Sequence, residues 1–477
     1  MRHDYPVPAM LIASRWISAE GRDGTPVLNP ATGDILARIP VATPDEVQQA
    51  IEAATASFPE WRDRPAMDRS GILRRTAELL RQRSALIAST ISLELGKPLP
   101  EALREVETAA ELFDWSAEEA RRAYGRIIPG RAAGQLFQAI LEPIGPVAAF
   151  SPWNAPAITP ARKISGALGA GCTVVLKAAE ETPATAALIV RCVLDAGAPP
   201  GVVALLFGNP AAISSQLLSS PDMKVLTFTG STPVGRQLAA LAGANLMRMT
   251  LELGGHAPVL VFDDCDPEAL AKAAVAAKYR NAGQVCTSPT RFFVQQALYP
   301  RFVARFRELT AEIRVGNPFE ADTQMGPLAT DRRVDAVLDL VNDARACGAE
   351  VQGGAILSGP GNFLTPAVIA RPPAGCLAAV EEPFGPIALI SPFKSPEEAI
   401  EQANGLPQAL AAYGFTQNAR TIALLRTQLD AGSLAINHWQ ASWPETPFGG
   451  RGASGFGAEG GVEGLQAFQQ IKFISQV

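Results

Sequence analysis

Histidine is scarce in this chain. Its 477 residues include three, His3, His256 and His438, and none lies within helical reach of another. That argues against a histidine-built metal centre. The six cysteines, Cys172, Cys192, Cys265, Cys286, Cys347 and Cys376, include no C-x-x-C pair, which argues against a zinc ribbon or a thioredoxin-like motif. Cysteines this sparse point to reduced thiols and a cytoplasmic setting. There is no excess of basic charge: Lys+Arg 41 against Asp+Glu 47 leaves a formal charge of −6, a poor match to a nucleic-acid partner. Long apolar runs are also missing. The longest charge-free stretch, Ala196 to Pro221, is broken by Pro199, Pro200, Gly201, Gly208 and Pro210, and Pro143 to Ala161 is likewise studded with prolines, so neither reads as a membrane helix. The opening MRHDYPVPAMLIASRW has no apolar signal core. A cytoplasmic protein is expected, with neither a membrane nor a nucleic acid as partner.

What is present is core material. Hydrophobic residues make up 47% and charged residues 18%, enough for two or three packed domains. The first ~120 residues read as helical and charged after a short β-rich lead. The arginine-rich stretch Arg62 to Arg83 interleaves Asp63, Asp68 and Glu78 and reads as a solvated helix face. From Pro146 the pattern changes. Short apolar runs at Val147–Phe150, Thr173–Leu176, Val202–Leu206, Val225–Phe228 and Pro258–Phe262 alternate with helical stretches at Ile158–Gly169, Ala184–Asp195, Ala211–Leu218 and Pro233–Leu241. That alternation predicts an α/β fold, a parallel sheet covered on both faces, with nucleotide ligands at the carboxyl ends of its strands. Further helices are expected over Pro267–Ala282 and Arg332–Cys347. The glycine-rich Phe448 to Gly464 reads as a loop.

Four short segments bear on chemistry. Cys286 follows Asn281-Ala282-Gly283-Gln284-Val285, a helix-like run entering a loop; a thiolate there is both nucleophile and leaving group, the combination two-step acyl chemistry needs. A buried structural cysteine is the alternative. Glu252, between Leu251 and Leu253 and before Gly254-Gly255, has an apolar setting that would raise its pKa towards general-base duty, or else it is an exposed strand-edge residue. Asn154, in Ser151-Pro152-Trp153-Asn154-Ala155-Pro156 after a predicted strand, offers an amide to a developing oxyanion, or caps a turn. Thr229-Gly230-Ser231, with Gly235 five residues after Gly230, opens a helix and can present N–H groups to a pyrophosphate, although it is not G-x-G-x-x-G.

Taken together, these segments resemble the aldehyde dehydrogenase superfamily over nearly the whole chain. The landmarks run in order: Pro152-Trp153-Asn154, Lys177-Ala178-Ala179-Glu180, Phe228-Thr229-Gly230-Ser231, Glu252-Leu253-Gly254-Gly255, Gly283-Gln284-Val285-Cys286, Glu381 to Pro386, and Pro447-Phe448-Gly449-Gly450. The resemblance implies that Cys286 attacks the aldehyde, that Asn154 and the Cys286 N–H hold the oxyanion, that Glu252 activates the hydrolytic water, and that Glu459 relays a proton. It implies NAD as cofactor, with Lys177 and Glu180 at the adenine ribose, Trp153 and Ser231 near the pyrophosphate, Glu382 on the nicotinamide ribose and Phe384 beside the nicotinamide; Gly208, Thr229, Gly230, Gly235 and Leu253 complete the expected cofactor site. A carboxylate at Glu180 favours NAD over NADP by repelling a 2′-phosphate. Departures are Ala178 for a common proline, Gly208-Asn209-Pro210 for a common Gly-x-Gly, and His256, which is given a structural role.

The implied architecture is a Rossmann-type dinucleotide domain (1–122 with 144–253), an α/β catalytic domain (254–453), and a β arm with the C-terminal segment (123–143 with 454–477) serving a homodimer or homotetramer. Arg162, eight residues after Asn154, and Arg280, six before Cys286, match arginines that bind the substrate carboxylate in succinate-semialdehyde dehydrogenases; a semialdehyde is therefore the expected substrate. Structural pairing of these arginines would instead suit an uncharged aliphatic or aromatic aldehyde, for which Trp439 and Trp443 offer a hydrophobic lining. Coenzyme A as the thioester acceptor is disfavoured by Glu252. A non-catalytic dinucleotide-binding protein would not need thiol, base and amide together.

Overall fold

The computed structural model describes residues 4–477; residues 1–3, which include His3, lie outside the described residues. Two large sheets organise the chain. In the first, five parallel strands, Val147–Phe150, Val174–Lys177, Val203–Leu206, Val225–Thr229 and Arg248–Glu252, lie in the spatial order 3-2-1-4-5. The first four are mainly apolar runs rather than alternating ones because helices cover both faces, and nearly all of their residues are buried, whereas Arg248–Glu252 starts exposed and is buried from Thr250 on. The order reverses between Val147–Phe150 and Val225–Thr229. Chain leaving the carboxyl ends of these two strands diverges to opposite sides and opens a crevice suited to a dinucleotide. Met10–Ile12 and Arg15–Ile17 extend one edge antiparallel.

At the other edge the expected loop of 448–464 departs from expectation. Gly455–Phe456 forms a short antiparallel strand on Leu251 and Glu252, and Gly461–Gln466 is a helix. Glycine hid this strand. Gly455 has φ +102°, and a Cβ there would overlap the Leu251 carbonyl, so the pairing depends on the residue that reads as irregular.

The second sheet has seven strands in the order Glu350–Gln352, Ala367–Ala370, Ile387–Phe393, Arg291–Gln295, Pro258–Val261, Ala411–Phe415 and Ser433–Ile436, all parallel except the first. A third sheet projects as an arm: Gln469–Gln476 pairs over eight positions with Leu136–Pro143, which also pairs with Arg126–Pro129. Among the described residues no helix is long and apolar enough to cross a membrane.

The helices obey ordinary rules. Pro44–Asp63 starts with a capping box, Thr43 accepting from the Glu46 N–H and Glu46 accepting from the Thr43 N–H. The arginine-rich stretch pairs with carboxylates: Arg62 with Asp63, Arg74 with Glu118, Arg81 with Glu107 and Asp114, and Arg83 with Asp195. Arg69 is instead buried and donates to the carbonyls of Arg62, Arg64 and Gly169.

His256 is buried just before the strand Pro258–Val261, with Nε2 3.1 Å from the Ala378 carbonyl. Burial, reinforced by the Arg291 charge, pushes its pKa down to about 3, so the folded ring is neutral. Its contribution to stability is complete above the ordinary histidine range and is lost as pH falls from there towards 3, because the unfolded chain takes up a proton that the folded one refuses. Between pH 7 and pH 5 the wild type should lose about 2 kcal/mol more unfolding free energy than His256→Gln, read from urea melts at the two pH values.

Candidate active site

Four helices follow the first four parallel strands, and three of their N-termini are already stopped. Glu105 accepts from the N–H groups of Ala157 and Ile158 at 2.9 and 3.5 Å, at the head of helix Ile158–Ala170. Glu94 accepts from Ala184 and Thr185 at 2.7 and 3.2 Å, at the head of Pro183–Asp195. Asn209 caps Pro210–Ser219 through Ala211 and Ala212 at 3.0 and 3.1 Å. The fourth helix, Thr232–Ala244, receives no side-chain cap from Ser231. This open end lies on the crevice where the strand order reverses, and the nearby Thr229 hydroxyl is buried without a partner. Free N–H groups at a helix start suit an anion such as a pyrophosphate.

The crevice continues into one cleft of about 510 Å³. Its lining brings together residues that are far apart in sequence: Trp153, Asn154, Arg162, Thr229, Gly230, Ser231, Glu252, Leu253, Arg280, Cys286, Glu382, Phe384 and Glu459. The other expected cofactor residues lie outside it. Lys177 and Glu180 pair at 2.6 Å beside the carboxyl ends of the neighbouring strands, and Glu180 also accepts the Gly208 N–H at 3.4 Å. Gly235 is in the open helix, packed against Leu253.

Cys286 is half-buried in the cleft. Its approach is a left-handed turn, Asn281, Ala282 and Gly283 having φ of 50°, 52° and 71°. The expected helix over Pro267–Ala282 therefore ends at Tyr279, where the chain reverses its hand. A Cβ on Gly283 would run into the Gly385 carbonyl, so this position admits only glycine. The turn is held by side-chain amides. Asn281 Nδ2 donates to the carbonyls of Asn154 and Gln284 at 3.2 and 3.1 Å, and Gln284 Nε2 returns a bond to the Asn281 carbonyl at 3.1 Å. Gln284 Oε1 takes the Ala329 N–H at 2.9 Å. Asn154 uses one amide hydrogen on the Gln284 carbonyl at 3.2 Å and keeps the other. From the opposite side Lys97 donates to the Asn154 carbonyl at 3.1 Å and pairs with Glu105.

Burial dominates the electrostatics. It raises the Cys286 thiol to about 12, helped by the charges of Glu252 and Glu382, while the Thr287 N–H works the other way. Glu252 is buried rather than exposed at the strand edge, and its Oε1 has no hydrogen-bond partner. Burial, then the Glu459 charge, holds this carboxyl well above the usual range, against Arg162 and Lys163. Glu459 is tied to Lys163 at 2.7 Å and to the Thr227 hydroxyl at 3.2 Å. Burial lifts Glu382 to about 7. Phe384, at φ 41°, presents its ring to Trp153 edge-on, with centroids 5.5 Å apart.

Arg162 donates to Ser442 Oγ at 3.1 Å and lies 5.1 Å from the Phe448 ring, while its Nη1 is buried without a partner. Arg280 is exposed, and among the described residues nothing forms a hydrogen bond or ion pair with it. Glu101, a carboxyl on which its charge acts, receives the Asn281 N–H instead. Sequence reasoning passed over Asn281 and Gln284, although both stand in the Cys286 motif; an asparagine followed by a small residue and glycine is a signal for left-handed backbone. It also passed over Lys163, next to Arg162, and Ser442, whose roles become visible only through contacts distant in sequence.

The model of the aldehyde dehydrogenase family matches residues 16–474, and the chain belongs to that family of NAD(P)-dependent oxidoreductases. Among its relatives is the 4-(hydroxymethyl)benzenesulfonate dehydrogenase of Comamonas testosteroni, 46% identical over 99% of both chains. The succinate-semialdehyde dehydrogenase (NADP(+)) of Escherichia coli is 38% identical over 97% of this chain and 96% of its own. The crystal structure of succinate-semialdehyde dehydrogenase from Burkholderia pseudomallei superposes with a TM-score of 0.96 at 37% identity, covering 98% of each chain.

Asn281→Ala removes two hydrogen bonds and leaves alanine in left-handed backbone. Turnover should fall at least tenfold. Cofactor affinity should stay within twofold, because the open helix end and Glu180 are untouched. Steady-state kinetics and a cofactor titration check the two halves.

Proposed function

We propose that the chain is an NAD-dependent aldehyde dehydrogenase whose substrate carries an anionic group remote from the aldehyde, with succinate semialdehyde the leading candidate. One observation carries this reading: a single cleft holds a thiol, a buried carboxylate, an amide with a spare hydrogen, and two guanidiniums with unused donors. The relatives add support, since both 4-(hydroxymethyl)benzenesulfonate and succinate semialdehyde carry an acidic group that is anionic at neutral pH, away from the carbon that is oxidised.

Cys286 is held as a thiol, and its proton passes to Glu252 as sulfur adds to the aldehyde carbon. The alkoxide that forms takes the spare Asn154 N–H and the Cys286 N–H. The nicotinamide, when bound, supplies the acceptor for the hydride that leaves this carbon. The resulting thioester on Cys286 is attacked by water, Glu252 taking the water proton, and the acid leaves as the thiol re-forms. Between the two halves Glu252 must release its first proton. Glu459, fixed by Lys163 and Thr227, is the carboxylate whose charge acts on it most strongly and is the relay.

Glu180 supports NAD: its carboxylate accepts ribose hydroxyls and repels a 2′-phosphate. The Asn209 cap adds to this by using the amides that a phosphate would otherwise find at helix Pro210–Ser219. The arm supports self-association, since Ile127, Ile471 and Phe473 are exposed on it.

Cys286→Ala should make no NADH from any aldehyde. The wild type should prefer succinate semialdehyde to propanal, and Arg162→Ala or Arg280→Ala should each reduce kcat/KM for the acidic substrate about 10- to 100-fold. Equal use of charged and uncharged aldehydes, with neither arginine mattering, overturns the acidic substrate. A kcat/KM favouring NADP overturns the cofactor assignment.

Phe473→Asp should shift the protein from an oligomer to a monomer in light scattering, and an unchanged mass would rule the arm out as the interface.

A further inference from the structure

One half-buried arginine of the cleft, Arg333, has no part in the reaction, and its Nε is buried without a partner. It stands in the first turn of helix Asp331–Ala346, where the Thr330 hydroxyl accepts its N–H at 3.3 Å. Its Nη2 donates to the Pro383 and Phe384 carbonyls at 2.5 and 3.3 Å. Its guanidinium carbon lies 5.9 Å from the centroid of the Phe384 ring, the ring that also meets Trp153. Phe384 is in left-handed backbone, which a bulky side chain rarely adopts, and the Arg333 donor on its carbonyl helps to hold it there. One turn along the helix Val337 closes on the next residue, for a Cβ on Gly385 would overlap Val337 Cγ2. The Gly385 carbonyl in turn occupies the space that a Cβ on Gly283 would need. Glu382, at the other end, lies so close to Gly254 that a Cβ there would overlap Glu382 Oε2. Residues 382–385 are thus wedged between this helix and the backbone that leads to Cys286 on one side and away from Glu252 on the other.

The charged and titratable groups that face Glu382 are Arg333, Lys278 at the end of helix Pro267–Tyr279, and the Cys286 thiol; Glu381, its neighbour in the chain, is exposed. Against the burial that raises this carboxyl work the Gly255 N–H, then the Arg333 charge, then the Lys278 charge.

We infer that Arg333 is a positioning residue for the cofactor: through the Pro383 and Phe384 carbonyls it fixes the segment that offers Glu382 to the nicotinamide ribose and Phe384 to the nicotinamide, and its charge keeps Glu382 in the ionised form that accepts ribose hydroxyls. The inference rests on the proposed reading of the cleft as a dinucleotide site and adds a residue to it.

The test separates charge from contact. NAD and NADP are titrated side by side against wild type, Arg333→Met and Arg333→Lys at pH 7 and pH 9, following tryptophan fluorescence. The Glu382 carboxyl sits at about 7, so wild-type affinity should rise with pH across this range. Without the Arg333 charge it should titrate about 1 pH higher, so Arg333→Met should bind about fivefold more weakly than wild type at pH 7 and within about twofold of it at pH 9. Lysine keeps the charge but stops short of the carbonyls. Arg333→Lys should therefore match wild-type affinity within about twofold at pH 7, while its kcat falls at least fivefold. Lys278 is the same in all three proteins, so the differences report Arg333. Unchanged affinity in Arg333→Met, a loss of equal size at both pH values, Arg333→Lys binding as weakly as Arg333→Met at pH 7, or a wild-type kcat in Arg333→Lys overturns the inference. A wild type that binds NADP more tightly overturns the choice of NAD instead, and the same comparisons made with NADP then decide the role of Arg333.

Discussion

The short left-handed turn at Asn281–Gly283 is the constraint on which the site rests. Left-handed backbone costs roughly 1–2 kcal/mol for each residue with a side chain. Asn281 and Ala282 both adopt it. The conformation persists because the Asn281 and Gln284 amides close a buried set of bonds around it, and because one of those bonds reaches the Asn154 carbonyl. Asn154 belongs to the loop after the first strand of the nucleotide sheet, whereas Cys286 leads into the second sheet. The same bonds that stabilise the turn therefore set the distance between the amide and the sulfur, and a shift of one sheet against the other must be felt at both.

A second theme is that the cleft keeps its ionisable groups away from their preferred charge states. Burial raises Cys286, Glu252 and Glu382 and lowers Lys278 to about 7, where Lys278 donates to Ser288 just beyond the nucleophile. The thiol and the two carboxyls therefore hold their protons more tightly and the lysine less tightly than in water, while Arg162 keeps a buried donor without a partner for a charged ligand tail. Three helix starts are closed by side chains and one is left open, which directs an incoming anion to a single place on the nucleotide sheet.

Much of this was legible from residue order. Val147–Phe150 begins and ends where its apolar run does, and the other four expected strands differ by a residue at either end, because strands buried on both faces are the least ambiguous signal a sequence carries. The motif residues Asn154, Glu252 and Cys286 meet in one cleft because each sits at or just beyond the end of a strand or helix whose direction the fold fixes. Three things were not legible. The reversal of hand after Tyr279 depends on the Asn281 amide donating to the carbonyl of Asn154, 127 positions away. The strand Gly455–Phe456 is written in glycine, which reads as irregular until a partner backbone is beside it. The bond from Arg162 to Ser442 joins residues 280 positions apart.

That glycine strand also bears on how the molecule is made. The strand carrying Glu252 has its outer edge covered by residues about 200 positions later, and the eight-residue ladder of the arm likewise waits for Gln469–Gln476. Emerging from the ribosome amino-terminus first, the five parallel strands can assemble early, but the border beside Glu252 stays bare until Gly455–Phe456 has been made. Until those residues arrive, the growing chain keeps an unpaired sheet border beside the Glu252 carboxyl, a natural target for chaperones or proteases.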